Sequence, residues 1–344
     1  MVIFLFLLFT VFSLLSLCRL SKKNFDGFYI SFYISLVLIT VFVKDANNVS
    51  DYDNYLAMFY DICRNRNVSV EPSYVLIAKI SNSIFHSAIG VFLIYASIGI
   101  ALKFIAIRQL SPLAFLSLAI YISFFYILHE LTQIRAGIAS GFLLLCIKPL
   151  YDRDLRKFLI LSVFACFFHY SALLILPLWF INPYKLNKYW IYSLPIAYVL
   201  AILNITPFSL LQNISFMTGD DRVNGYFIAM QNSEGVKFNI FNVAQLMRCT
   251  VCLYFIFNMS IIARNNSYTV LLIKIYLLGL CALPLLATIA VLSFRVSEFY
   301  SIVEIILYPL IIYSIKPIYC ARLIPIFLGG IFLYLMIFHL ELVK

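Results

Sequence analysis

The sequence predicts an all-α, polytopic integral membrane protein, and three observations predict it. Of the 344 residues, 64% are hydrophobic and only 12% are charged, about half the charged share of a soluble domain. The apolar residues fall in long runs, several of them near the roughly 20 residues that a membrane-spanning helix needs. The short loops between several of those runs carry Lys and Arg, as the positive-inside rule expects.

Taken in order, the candidate spans are 1–18, 27–43, 87–107, 112–128, 134–150, 158–181, 189–206, 239–262, 269–291, 299–315 and 322–340. The first run is not patterned as a cleavable signal, because Arg19, Lys22 and Lys23 follow it rather than precede it. The basic loops Arg19–Lys23, Arg108 and Arg153–Lys157 belong in the cytoplasm, which puts the N-terminus outside. Segment 158–181 is the difficult one, since Phe168-His169-Tyr170-Ser171 interrupts its middle. If it crosses once, the later basic loops Lys185–Lys188, Arg264 and Lys316–Arg322 all land outside. If it bends back as two half-helices, all three land inside, so the bent reading is preferred. That gives about 10 crossings plus one broken, re-entrant element, tolerated where protein or a water cavity covers its backbone.

The chain reads as one membrane domain, 1–344, with two long outer loops, 44–87 and 207–238. In the first loop, Pro72 suits an early helical position. The amphipathic run 75–85 after it is too short to span, so it belongs in the interface or re-enters. No internal repeat divides the chain. The eight cysteines lie mostly in apolar runs and read as small hydrophobes, not as a disulfide framework. The net charge of +10 comes without a basic run able to track a phosphate backbone, which argues against nucleic acid. No Walker loop, GxGxxG, GxSxG or HExxH occurs, so cytosolic nucleotide chemistry is unsupported.

Against this background the polar positions stand out. His129-Glu130-Leu131-Thr132-Gln133-Ile134-Arg135 is a polar island between two apolar runs. A charge at the bilayer centre costs on the order of 2.5–3.5 kcal/mol, so Glu130 and Arg135 either line a polar cavity or do a job that justifies the cost. Arg135 opens a helix bearing Gly137 and Gly141, a small-xxx-small spacing that admits a close neighbour. Its guanidinium is a fixed fork for phosphate or carboxylate; the bland alternative is an Arg that snorkels to water. A second island, Arg295 with Glu298 and Tyr300, falls at the same expected outer face. Arg295 and Glu298 are spaced to pair, either as a structural ion pair or as a second cation oriented for an anionic ligand. His169 is a satisfied core residue or a proton shuttle at the helix break. Asp51, Asp53 and Tyr55 form an acidic, aromatic stretch that is either a solvated loop or a sugar-facing surface. The acidic pairs Asp51/Asp53 and Asp220/Asp221 permit a metal site without arguing for one.

The order of these motifs resembles the EpsG/Wzy group of bacterial polysaccharide polymerases. The parts that carry the resemblance are Asp51 and Tyr55, then Glu71-Pro72-x-Tyr74. They continue with Gln133-Ile134-Arg135-Ala136-Gly137-Ile138-Ala139, then Phe168-His169-Tyr170-Ser171-Ala172, and end with Phe294-Arg295-x-x-x-x-Tyr300. The likeness runs over roughly residues 25–315; the group more often has Gln where this chain has Ala136. It implies a GT-C-like membrane polymerase of O-antigen or exopolysaccharide. The substrate would be an undecaprenyl-diphosphate-linked oligosaccharide, used at the periplasmic face of the bacterial inner membrane. A chain-length regulator is an implied partner, and neither cofactor nor metal is called for. Arg135 and Arg295 would stabilise the departing diphosphate, and His169 or Glu130 would serve as general base. Asp51, Asp53, Tyr55, Glu71, Gln133, Glu298 and Tyr300 would contact substrate. Two other readings compete: a flippase for the lipid-linked oligosaccharide, and a membrane acyltransferase that uses His129 as base.

Overall fold

The computed structural model describes residues 1–43, 51–205 and 239–340. The expected outer loop 207–238, with Asp220 and Asp221, lies outside the described residues, as does the start of the first loop at 44–50. All regular structure among the described residues is helical. In chain order the helices are α1 (Val2–Leu17), α2 (Lys22–Val43), α3 (Tyr52–Cys63), α4 (Pro72–Phe85), α5 (Ile89–Leu110), α6 (Ala114–Thr132), α7 (Ile134–Asp152), α8 (Leu155–Phe168) and α9 (Tyr170–Phe180). They continue with α10 (Lys188–Ile202), α11 (Val243–Ile262), α12 (Thr269–Leu285), α13 (Ala290–Ser301), α14 (Glu304–Leu307, prolonged by tight turns to Tyr313) and α15 (Ile318–Phe338). Seven helical stretches among the described residues are long and apolar enough to cross a membrane, and shorter apolar helices accompany them.

The chain forms two compact units. The first comprises Met1–Ile181, Arg264–Tyr268 and Glu304–Lys344; the second comprises Asn182–Ala263 and Thr269–Val303. In the first unit, α6 is buried along its whole length, as expected of a helix that is apolar all round. From Tyr121 to Thr132 its turns widen to π spacing, and the amide of Gln133 still donates five residues back, to the Leu128 carbonyl at 2.8 Å. Widened turns of this kind occur often at functional sites. Helix α7 runs beside α5 and the end of α6, and its two glycines make that possible. A Cβ at Gly141 would lie 2.8 Å from the Leu102 side chain, and one at Gly137 would lie 2.9 Å from the His129 carbonyl.

The broken element bends back. His169 takes an extended conformation (φ −158°, ψ 130°) between α8 and α9. At the far ends, the Arg153 guanidinium donates to the Trp179 carbonyl at 2.6 Å and to the Ile181 carbonyl, and it covers the Trp179 ring. Residues 153 and 181 therefore meet, so the segment is a hairpin with His169 at its tip. The 14 residues of α8 reach only about 21 Å at 1.5 Å per residue, well short of the roughly 30 Å hydrocarbon core.

Three boundaries differ from the sequence reading. Helix α6 continues through His129–Thr132 and breaks only at Gln133, so most of the first polar island is helical and buried. The second island, 293–298, lies inside α13; the turn falls before it, after Pro284 near the end of α12. The acidic, aromatic stretch at 51–55 is the start of α3, with Asp51 at the N-cap. In the first of these, packing supplies the partners: Glu130 pairs with Lys103, and His129 meets Ser140.

In the second unit, Lys274 on α12 is buried and donates to the carbonyls of Asn182 (2.6 Å) and Lys185 (2.5 Å), with its ammonium over the Trp190 ring. It thereby ties the chain entering α10 to α12. Gln245 on α11 donates to the Leu280 carbonyl of α12 at 3.0 Å.

Candidate active site

A small apolar core in the first unit holds the site in place. Tyr55 and Phe59 of α3, Tyr74 and Ile77 of α4, Val91 and Tyr95 of α5, Ile138 of α7 and Phe168 of α8 are all buried together. Their aromatic hydroxyls find partners, as buried phenols must. Tyr74 donates to the Tyr55 carbonyl at 2.7 Å, and Tyr95 shares a 3.1 Å hydrogen bond with Ser73. Burial raises the pKa of Tyr55 and Tyr74, so both remain neutral.

On this core sits Glu71, only 4% exposed. It is the N-cap of α4, and Pro72 takes the first helical position as the sequence predicts. Its side chain does not cap its own helix. One carboxylate oxygen instead accepts from the Arg135 guanidinium, and the other lies 2.8 Å from His169 Nδ1. Arg135 also lies over the Tyr55 ring, 5.8 Å from its centroid. Four separate segments thus converge here: α3, the start of α4, the start of α7 and the tip of the α8–α9 hairpin.

Glu71 feels opposing influences. Burial alone would raise its pKa, but the His169 hydrogen bond and the Arg135 charge outweigh it. They hold the carboxyl down at about 2 from its ordinary 4.5. Glu71 is therefore an anion at neutral pH, and His169 Nδ1 is the donor in their hydrogen bond. The carboxylate thus fixes the orientation of the ring, in the pattern of a base held by a carboxylate. Because the folded pKa is depressed, the contribution of Glu71 to stability is complete above about pH 4.5 and disappears as the pH falls through about 2. In detergent, the gap in unfolding temperature between wild type and Glu71→Gln is expected to stay constant from pH 7 to 5. Below that it should narrow toward pH 2; a gap that widens on acidification would contradict this pairing.

Arg135 stands in the first turn of α7, where the helix dipole disfavours a cation. Glu71 offsets that cost on one side of the guanidinium. Its Nε is buried and has no partner among the described residues, while the side chain keeps 20% of its exposure. A largely buried guanidinium that still reaches solvent, with an unused buried donor, is suited to an incoming oxyanion.

The structure separates the other candidates. Glu130 is 1% exposed and pairs with Lys103 of α5; Tyr121 adds a hydrogen bond at 2.9 Å. His129, equally buried, meets Ser140 at 3.1 Å through Nδ1. Gln133 is half-buried at the α6–α7 break, Asp51 is half-buried and Asp53 is exposed. Arg295, Glu298 and Tyr300 belong to α13 of the second unit, where Arg295 is exposed, Glu298 half-buried and Tyr300 buried.

A family model described as the EpsG family matches residues 29–344. The chain belongs to the EpsG family. It also shares 22% identity over 178 residues with the amylovoran biosynthesis protein AmsC of Erwinia amylovora. That match covers 48% of this chain and 47% of AmsC, so it spans about half of each protein. No solved structure matches.

Within this EpsG-family chain, the sequence reading missed Lys103 and grouped Glu71 only with substrate contacts. Lys103 carried a signal of its own, a charge inside the apolar run Ile89–Leu110, more than a turn before the terminal Arg108, and such charges usually face a partner. Glu71 carried none beyond its place before Pro72. Only folding shows that Arg135 and His169, 64 and 98 positions away, take its two oxygens.

Proposed function

We propose that this protein polymerises lipid-linked oligosaccharide repeat units at the outer face of the bacterial inner membrane. In this reading a growing glycan on undecaprenyl diphosphate is the donor and a new lipid-linked unit is the acceptor. Membership of the EpsG family supports a role in polysaccharide assembly, and the name of AmsC places that relative in exopolysaccharide biosynthesis. The observation that carries the reading is the Glu71–His169–Arg135 group, which sets an oriented base beside a fixed cation.

The acceptor hydroxyl attacks the anomeric carbon of the donor sugar. Its proton passes to His169 Nε2 while Glu71 holds the ring through Nδ1. The anomeric C–O bond breaks, and the electron pair leaves on the diphosphate. Arg135 stabilises that charge at the edge of the membrane. Diphosphate leaves with little protonation, so no glycosidase-type carboxylate pair is needed. Glu130 is reassigned from base to partner of Lys103. Arg295 belongs to the second unit and is given no part in this step, and Asp51 and Asp53 line the approach of the acceptor sugar. A chain-length regulator is a natural partner.

The test is transfer by purified protein given two lipid-linked repeat units. Longer lipid-linked glycans and free undecaprenyl diphosphate are expected. A deletion strain that still makes full-length polymer would sink the reading. Arg135→Lys keeps the charge but loses the fork, so the rate is expected to fall at least about tenfold, equivalent to roughly 1.4 kcal/mol. Wild-type chain length and yield from a well-expressed variant would remove Arg135 from the mechanism.

A further inference from the structure

We propose that Lys103 is a positioning residue for Arg135, acting through the joint between α6 and α7. The inference rests on the polymerase reading for its purpose and on geometry for its substance. The Lys103 ammonium is fully buried. It donates to Glu130 in the last turn of α6 and, at 2.7 Å, to the Gly137 carbonyl in the first turn of α7. These two acceptors flank the break at Gln133, and Arg135 lies between that break and Gly137. One cation from a third helix thus ties both sides of the joint whose angle directs the guanidinium.

The surroundings are shaped for this pair. Tyr121 gives Glu130 a second donor at 2.9 Å. Gly99, one turn before Lys103 on α5, makes room for the carboxylate: a Cβ there would lie 2.5 Å from Glu130 Oε2. Ser140 also donates to the Gly137 carbonyl at 2.8 Å, so that acceptor is held from two directions. Helix packing alone does not require any of this, because apolar residues of similar volume hold helices together at least as well as a buried ion pair. What an ion pair adds is direction, and the direction here falls on the residue that meets the diphosphate.

The experiment separates positioning from packing. K103M/E130Q removes both charges together and leaves no orphaned ion. In detergent it is expected to unfold within a few degrees of wild type, while its affinity for inorganic pyrophosphate falls about tenfold. Adding R135K to it is expected to produce no further loss beyond that of R135K alone, because the guanidinium being positioned is gone. Wild-type pyrophosphate affinity in folded K103M/E130Q overturns the proposal, as do losses that simply add to those of R135K. If K103M/E130Q does not fold, Y121F decides: it removes one hydrogen bond to Glu130 and should weaken pyrophosphate binding about threefold. Unchanged affinity in Y121F then overturns the proposal, and so does a wild type that binds no pyrophosphate. Transfer between lipid-linked units is measured on the same samples. A wild type that shows the coupling but transfers nothing sinks the polymerase reading and leaves the positioning role intact.

Discussion

Replacing His169 with alanine is expected to lower transfer between purified lipid-linked units by about 10²–10⁴-fold, the range a general base contributes. Glu71→Gln is expected to lower it about as far by a different route. The amide cannot hold His169 with a charge, and it leaves Arg135 without its counter-ion. The two losses do not add, because His169→Ala on a Glu71→Gln background removes a base that has already lost its orientation. In a double-mutant cycle the second substitution should therefore cost far less than it does in wild type. Fully additive losses would show that Glu71 and His169 act separately and would dissolve the dyad.

Lys103→Met is expected to cost about 3–5 kcal/mol of stability. The reason is the carboxylate it strands. Glu130 is 1% exposed, and Lys103→Met removes the ammonium that balances its charge at hydrogen-bonding distance. Low abundance in the membrane and a lower unfolding temperature in detergent would report this. Adding Glu130→Gln should recover much of the loss, since the stranded charge is then gone. If Lys103→Met and the double variant unfold alike, the loss comes from packing and not from the orphaned charge.

These predictions rest on features of unequal legibility. Apolar runs mark helices because a membrane leaves the backbone no other partner than itself, so α5, α7 and α15 could be read almost directly. The hairpin at 158–181 was suggested by charge bookkeeping and by the polar tip around His169. Its closure depends on Arg153 reaching two carbonyls of the returning strand of chain, which no local pattern specifies. The apolar run at 299–315 begins well after the start of α13 at Ala290, because Arg295, Ser297 and Glu298 depress the local hydropathy while leaving the helix itself intact. For the same reason the break after α6 appeared four residues too early, at His129 instead of Gln133.

The candidate site divides in the same way. By itself, the sequence determined the all-helical membrane architecture, the family likeness and the residues too polar for their surroundings: Arg135, Glu130, His169 and Arg295. Each is conspicuous because its transfer into an apolar setting is costly. Only the tertiary structure decided which of them share partners. It gave Arg135 and His169 to the two oxygens of Glu71, and it gave Glu130 to Lys103. The physical reason is that a charge's cost is a one-body property visible in a string of residues. Its compensation is a two-body property, set by which helices the fold brings side by side.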